Sequence, residues 1–235
     1  MTAPGLPLTI ADVLCPCRIP MTLPLPDWVS LASIASDVLE TDAAQPEELA
    51  QLSPAAIQKR RDDFSLGRIA ARRALLGLGI SGLPVLREEG GAPAWPAGVV
   101  GAITHTAQQA AAAVAHERNT AGIGLDVERF KTVREDIASI VADEAERAWV
   151  AGDQRRLIAL FSAKESVYKA FYRFRREFFG FDAVHLRWAD QGFAATLLEP
   201  MGQHWPAGYE FFIHCQPLET VVWTALWLPP IRSSG

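Results

Sequence analysis

Residues 99–130 read VVGAITHTAQQAAAAVAHERNTAGIGLDVERF, and the periods within this stretch decide the fold class. In its last part Ile123, Leu125 and Val127 alternate with Gly124, Asp126 and Glu128, the two-residue period of a strand with one buried face. Its first part, VVGAI, reads as a short strand ending in a turn at Thr104-His105-Thr106. Between them the apolar run around AAAAVA has no decisive period, so strand and alanine-rich helix both stay open there.

Upstream, a capping Ser53 with Pro54 in the first turn predicts a helix through AAIQKRRDDFSLGRIAARRALLGLG. Its apolar positions Ile57, Phe64, Ile69, Ala70, Leu75 and Leu76 leave the arginines largely on other faces. Gly77, Gly79, Gly82 and Pro84 end it, and turn signals continue to Trp95-Pro96. Downstream, two helical stretches are expected, one near 135–151 and one from about Arg155 through LIALFSAKESVYKAFYRF. The segments HLRWA, GFAATLLE, YEFFIHCQ and TVVWTALWL, between 184 and 228, read as strands. Pro4, Pro7, Pro16, Pro20, Pro24 and Pro26 exclude a long helix from the opening 30 residues. The expectation is a mixed α/β (α+β) protein.

At 235 residues, 49% hydrophobic and 21% charged, the chain can bury a core, as one unit or as two closely packed halves. That composition excludes disordered, collagen-like and coiled-coil chains. A net charge of −5 argues against a nucleic-acid binder, which usually carries a basic field. Cys15, Cys17 and Cys215 are too few and odd in number for a secreted disulfide framework, which favours the reducing cytoplasm. Cys15-Pro16-Cys17 has no second ligand pair to complete a zinc site. The N-terminus lacks a basic, then apolar leader, and no run approaches the ~20 apolar residues of a membrane span.

Four groups of residues carry chemistry. Asp126 and Glu128, at i and i+2 on a strand, project from one face about 6.6 Å apart and can converge on one hard cation such as Mg²⁺. Gly122 and Gly124 beside them permit close approach of a backbone or ligand. Read alone, this triplet is first an edge strand with solvated acids. In FSAKESVYK, Glu165 and Lys169 lie one helical turn apart with Lys164 at their border. A carboxylate beside two ammonium groups suits a metal-bound polyphosphate, although an ordinary surface Glu–Lys pair has the same spacing. Thr104-His105 follows a strand at a turn, where hydroxyl and imidazole can grip phosphate; a lone histidine is more often a packed or solvated one. Lys59, Arg60, Arg61, Arg68, Arg72 and Arg73 make one helix dense in cations, either a solvated face or a source of bidentate phosphate contacts.

In order, RRDDFSLGRIAARRAL, GAPAWPAGVVGAITHTA, GIGLDVE and FSAKESVYKAFY resemble a 4′-phosphopantetheinyl transferase of the Sfp/EntD type, nearest its EntD-like branch. The matching blocks run from about 59 to 181. The resemblance implies two similar α/β halves, 1–120 and 121–235, related by a pseudo-two-fold axis with a ligand cleft between them. It implies transfer of the phosphopantetheine arm of coenzyme A to a serine of an acyl or peptidyl carrier protein, with release of adenosine 3′,5′-bisphosphate. By the same resemblance Asp126, Glu128 and Glu165 match the Mg²⁺-binding acids, and Lys164 and Lys169 the lysines on the pyrophosphate. Glu165 is then the candidate base, with Lys164 or Lys169 stabilising the leaving group, while Arg60, Arg68, Thr104 and His105 match positions at the nucleotide end. Many relatives carry a lysine beside a G-x-P turn, where this chain reads Glu89-Gly90-Gly91-Ala92-Pro93; Arg87 is a candidate substitute.

Relatives of the EntD-like branch serve siderophore or other secondary-metabolite synthetases, which sets that expectation here. Two fused halves would build the cleft within one chain, which favours a monomer. A non-enzymatic module binding a nucleotide or acidic protein, and a Mg²⁺-dependent phosphohydrolase, are the other readings of the same residues. Thirteen of the 22 Lys and Arg residues fall within 59–73 and 155–176, so the acidic total conceals two basic segments suited to a small, highly charged ligand.

Overall fold

The computed structural model describes residues 23–106, 109–131, 135–177 and 179–231. Cys15, Cys17 and the first four of the opening prolines lie outside the described residues. The chain begins with strand β1 (Ser30–Ala35), a 3-10 turn (Ser36–Glu40), the one-turn helix α1 (Pro46–Leu49) and the long helix α2 (Gln58–Gly77). A hairpin of β2 (Leu86–Arg87) and β3 (Pro93–Ala94) leads into β4 (Val99–His105) and β5 (Gln109–His116). Then come β6 (Ile123–Arg129), α3 (Glu135–Val141), α4 (Glu144–Val150) and α5 (Gln154–Arg175). Strands β7 (Val184–Ala189), β8 (Gly192–Leu197), β9 (Glu210–Pro217) and β10 (Val221–Trp227) complete it. Every strand pair is antiparallel, so the mixed fold is of the α+β kind.

A three-stranded sheet, β1-β5-β4, faces a five-stranded sheet, β6-β10-β9-β8-β7, with α2 on the outside of the first and α5 on the outside of the second. The alanine run forms β5. Ala110, Ala112 and Val114 pack on Leu66, Ile69, Ala70 and Ala74 of α2, while Ala111, Ala113 and Ala115 pack on Ile123, Leu125, Val127 and Trp223 of the other sheet. A strand buried on both faces loses the alternation that marks a half-buried one, and methyl side chains let both layers come close. Val222 and Leu226 of β10 turn the other way, into the cluster that α5 covers with Leu157, Leu160, Ala163, Val167 and Phe171.

Two details of α2 differ from the expectation. The helix starts at Gln58, because Ser53 Oγ accepts the Ala55 N–H in a separate turn, and Ile57 and Leu76 are exposed. Arg68, for which a solvated face and a phosphate contact were both open, is buried, with its guanidinium over the Phe64 ring.

Helix α5 is capped by Asp153, whose carboxylate accepts the N–H groups of Arg155 and Arg156, and it ends on Arg176 in the left-handed conformation. It lies directly against β6. A Cβ on Gly124 would stand 2.0 Å from the Ser166 carbonyl oxygen, and one on Gly122 would stand 2.4 Å from that of Ala170. The close approach that these glycines permit is therefore used by a backbone, and it sets Lys169 beside Asp126. No helix among the described residues is long and apolar enough to cross a membrane.

Candidate active site

Strand β6 and helix α5 meet at Asp126. This buried carboxylate accepts Thr104 Oγ1 at 3.0 Å and Lys169 Nζ at 2.6 Å on Oδ1, and Ser162 Oγ at 2.8 Å on Oδ2. Thr104 Oγ1 also accepts the Val127 N–H at 3.1 Å, so the hydroxyl ties β4 to β6. Behind Asp126, Ser162 and Ser166 bond the Thr224 hydroxyl at 2.9 and 2.8 Å. Ser162, Ser166 and Thr224 are members of the site that sequence reasoning missed. Their signal was present: the serines stand at i and i+4 in FSAKES, and Thr224 is the one polar residue in VVWTALW.

Glu128 and Glu165 differ from Asp126, since neither has a hydrogen bond or ion pair among the described residues. Burial pushes the Glu128 carboxyl up to about 7; the charge of Asp126 adds to this, Lys131 and Lys169 oppose it, and Glu165 contributes last. Burial raises Glu165 as well, with Lys169 opposing and Asp126 adding. Glu128 thus feels Asp126 and Glu165, and Glu165 feels Asp126. Partly desolvated carboxylates without partners, beside a third held in place, fit the oxygen donor set of a hard divalent cation.

The two lysines separate. Lys169 Nζ lies on Asp126 and on the Leu125 carbonyl, at 2.6 and 3.1 Å. Lys164, expected beside the acids, instead lies on another side of α5, where its buried ammonium donates to Glu146 Oε2 at 2.7 Å and to the Phe181 carbonyl at 2.9 Å. Glu146 also accepts the N–H groups of Asp143 and Leu186, both at 2.8 Å, and Asp143 in turn meets His185. The ligand atoms of Asp143, Glu146 and His185 lie within 4.8 Å of one another. Their oxygens are already committed, so the group works as a lock joining α4, α5 and β7.

The cationic residues of α2 also divide. Arg60 is exposed, whereas burial pushes Arg68 down to about 10, with Glu48 opposing and Arg87 and Arg60 adding. His105, at the exposed end of β4, has its proton affinity lowered by partial burial; Asp63 opposes, and Lys169, Arg60 and Lys59 add. Lys169 and Arg60 therefore both act on the His105 imidazole.

A cavity of about 500 Å³ runs from the β2–β3 turn along β4 to α5, with Arg87, Trp95, Lys169, Tyr172, Arg173 and Arg176 in its walls. A smaller one, about 140 Å³, is lined by Lys164, Glu165, Tyr168, Phe179, Phe181 and Val184. Tyr168 belongs to both walls. Of the expected site residues, Lys169 lines the first and Lys164 and Glu165 the second; Asp126, Glu128, Thr104, His105, Arg60 and Arg68 line neither.

An α+β chain that sets a cavity lined by arginines and a lysine near carboxylates without partners among the described residues has the build of an enzyme. Residues 46–115 match the 4′-phosphopantetheinyl transferase N-terminal domain and residues 122–213 the 4′-phosphopantetheinyl transferase superfamily. The chain is 36% identical over 188 residues to the 4′-phosphopantetheinyl transferase Npt of Nocardia iowensis, covering 75% of this chain and 84% of the relative. It is 37% identical to the 4′-phosphopantetheinyl transferase Svp of Streptomyces mobaraensis, over 75% of each. Enterobactin synthase component D of Escherichia coli K12 is 36% identical over 56% of this chain and 64% of the relative. The chain belongs to the 4′-phosphopantetheinyl transferase family, and it is an enzyme of that class.

Proposed function

We propose that this enzyme transfers the 4′-phosphopantetheine moiety of coenzyme A to a serine of an apo acyl or peptidyl carrier protein, in the presence of Mg²⁺, and releases adenosine 3′,5′-bisphosphate. One observation supports this above the others: Glu165, which has no hydrogen bond or ion pair among the described residues, lines the smaller cavity one turn from Lys169 of the larger one, and the two cavities share Tyr168. The cationic cavity suits the nucleotide end of coenzyme A, and the small aromatic one suits its neutral pantetheine arm.

The carrier serine Oγ attacks the pantetheine-side phosphorus, the bond to the bridging oxygen breaks, and the bisphosphate leaves with that electron pair. Glu165 takes the serine proton; its raised proton affinity improves it as a base near neutral pH. Lys169, anchored on Asp126, offers positive charge to the phosphate oxygens. Lys164 is assigned no phosphate contact, because two of its three donors are held by Glu146 and Phe181 and the ammonium is buried. Asp126, Glu128 and Glu165 would hold Mg²⁺, which when bound neutralises charge developing on the phosphates. Thr104 positions Asp126, and Arg60, Arg68 and His105 face the nucleotide end.

The kinship with enterobactin synthase component D supports a carrier in siderophore or other secondary-metabolite synthesis. One chain supplies both walls of the cleft, which supports a monomer, and the sparse, odd set of cysteines supports action in the cytoplasm. The test is to incubate the protein with coenzyme A, Mg²⁺ and an apo carrier and to weigh the carrier. A gain of one phosphopantetheine is expected. Hydrolysis of coenzyme A without a carrier, or binding without reaction, would overturn the reading.

A further inference from the structure

Asp126 faces Thr224 directly across the β6–β10 ladder, so the two side chains stand on one face of the sheet. Helix α5 lies over that face and brings Ser162 and Ser166 to the Thr224 hydroxyl. All four side chains are buried, and the three hydroxyl-bearing residues have no exposed surface.

A hydroxyl carries one proton, so the donors in this group can be followed in turn. Asp126, paired with the Lys169 ammonium at 2.6 Å, is ionised and only accepts, which commits the Ser162 proton to Asp126 Oδ2 at 2.8 Å. Ser162 Oγ can then only accept from Thr224. Thr224 turns its own proton toward Ser162, whose carbonyl lies at 2.8 Å and whose Oγ lies at 2.9 Å. In the 2.8 Å contact between Thr224 and Ser166, Ser166 is therefore the donor. The chain runs in one direction, from Ser166 to Thr224 to Ser162, and it ends on the carboxylate.

That ending bears on what Asp126 has left to offer. An ionised carboxylate has about four acceptor positions. Thr104 and Lys169 take those of Oδ1, and Ser162 takes one of Oδ2. Among the described residues the remaining position is on Oδ2. Resting on the transferase reading above and its Mg²⁺ site, we propose that Thr224 is a positioning residue of this enzyme: it orients the Ser162 hydroxyl, and through it holds Asp126 with Oδ2 open to the metal. Ser166, at the far end of the chain, supports Thr224 without setting Asp126.

The same bonds join α5 to β10, so the experiment separates a joint from an orienting chain. Mg²⁺ is titrated by calorimetry into protein saturated with coenzyme A, for the wild type, Ser162→Ala, Thr224→Val, Thr224→Ser and Ser166→Ala, and thermal midpoints are read without Mg²⁺. Thr224→Val keeps the branched shape and removes the hydroxyl, whereas Thr224→Ser keeps the hydroxyl. The Kd for Mg²⁺ should rise about tenfold in Ser162→Ala and in Thr224→Val, the lower end of the cost of losing a group that orients a metal ligand. Thr224→Ser should return it to within about twofold of the wild type. Ser166→Ala should lower the midpoint as Thr224→Val does, yet move the Kd by less than about twofold. Equal changes of Kd in Thr224→Val and Ser166→Ala would reduce the group to a joint and overturn the proposal, as would a Kd raised by Ser162→Ala and not by Thr224→Val. Should Thr224→Val not fold, an unchanged Mg²⁺ affinity in Ser162→Ala overturns it alone. A wild type that binds neither coenzyme A nor Mg²⁺ would overturn the transferase reading instead, so the two failures are distinct.

Discussion

Two clusters of acids sit on either side of α5, and they are opposites. Asp143, Glu146 and His185 converge within 4.8 Å, yet every oxygen of buried Glu146 serves an N–H or the Lys164 ammonium. Asp126, Glu128 and Glu165 are linked by charge, and Glu128 and Glu165 have no hydrogen bond or ion pair among the described residues. What marks a reactive site is unsatisfied charge held in place, while convergence alone can equally mark a joint. Lys164 and Lys169, five positions apart on one helix, fall on different sides of this divide.

The largest expected effects test the divide directly. Glu165→Gln should lower the turnover number roughly a thousandfold, within the range of a lost general base, and leave the thermal midpoint within a degree or two. Lys164→Met should do the reverse: the buried pair loses one partner, and stability falls by about 3–5 kcal/mol, read by denaturant unfolding, while turnover per folded molecule at saturating substrate falls far less than in Glu165→Gln. Loss of turnover in a fully folded Lys164→Met protein would return that lysine to the reaction and dissolve the comparison.

Next is the titration of Glu128. Its folded value, near 7, lies above the ordinary 4.5, so between these values the folded state holds more protons than the unfolded one. The stability of the metal-free protein therefore falls as pH rises from about 4.5 through 7, by on the order of 3 kcal/mol for this group. Glu128→Gln should flatten that part of the curve, and added Mg²⁺ should raise the midpoint of the wild type more at pH 8 than at pH 5.5. A pH dependence identical in both proteins would show Glu128 to be as fully satisfied as Glu146.

Much of this was legible in the sequence, and the remainder was hidden for physical reasons. The strand period of Ile123–Val127 fixed the side of β6 on which Asp126 and Glu128 stand, and Gly122 and Gly124 just before them announced close approach. The alanine strand was ambiguous because burial on both faces erases periodicity. The direction of Lys164 depends on where α4 places Glu146, a contact across 18 positions that helical spacing around Lys164 does not encode. The surroundings of Arg68 likewise include Glu48 of α1 and Arg87 of β2, remote in sequence, which adjacent arginines on a helix do not reveal.

His105 gives a smaller effect at the cleft. Its proton affinity is lowered in the free protein, first by partial burial and then, beyond the opposing Asp63, by Lys169, Arg60 and Lys59. A bound polyanion reverses the sign of the surrounding charge, so the imidazole should titrate higher in the complex, visible in its ring proton shifts. Affinity for coenzyme A should then weaken as pH rises through the bound value. His105→Ala should raise Kd roughly tenfold and remove that slope.

The smallest effect lies in the lock, and it separates the two clusters by metal. His185 touches Asp143 at the rim, where both side chains are partly exposed, so His185→Ala should change stability by less than about 1 kcal/mol. A cation at Asp143, Glu146 and His185 would have to share Glu146 with the buried Lys164 ammonium, a like charge that already holds that carboxylate. Mg²⁺ titrated into the protein with coenzyme A should therefore give one site, unchanged in heat and stoichiometry by His185→Ala and lost in the Glu128→Gln, Glu165→Gln double variant. A second site that disappears with His185 would show that the lock opens for metal, and both clusters would then count as centres of chemistry.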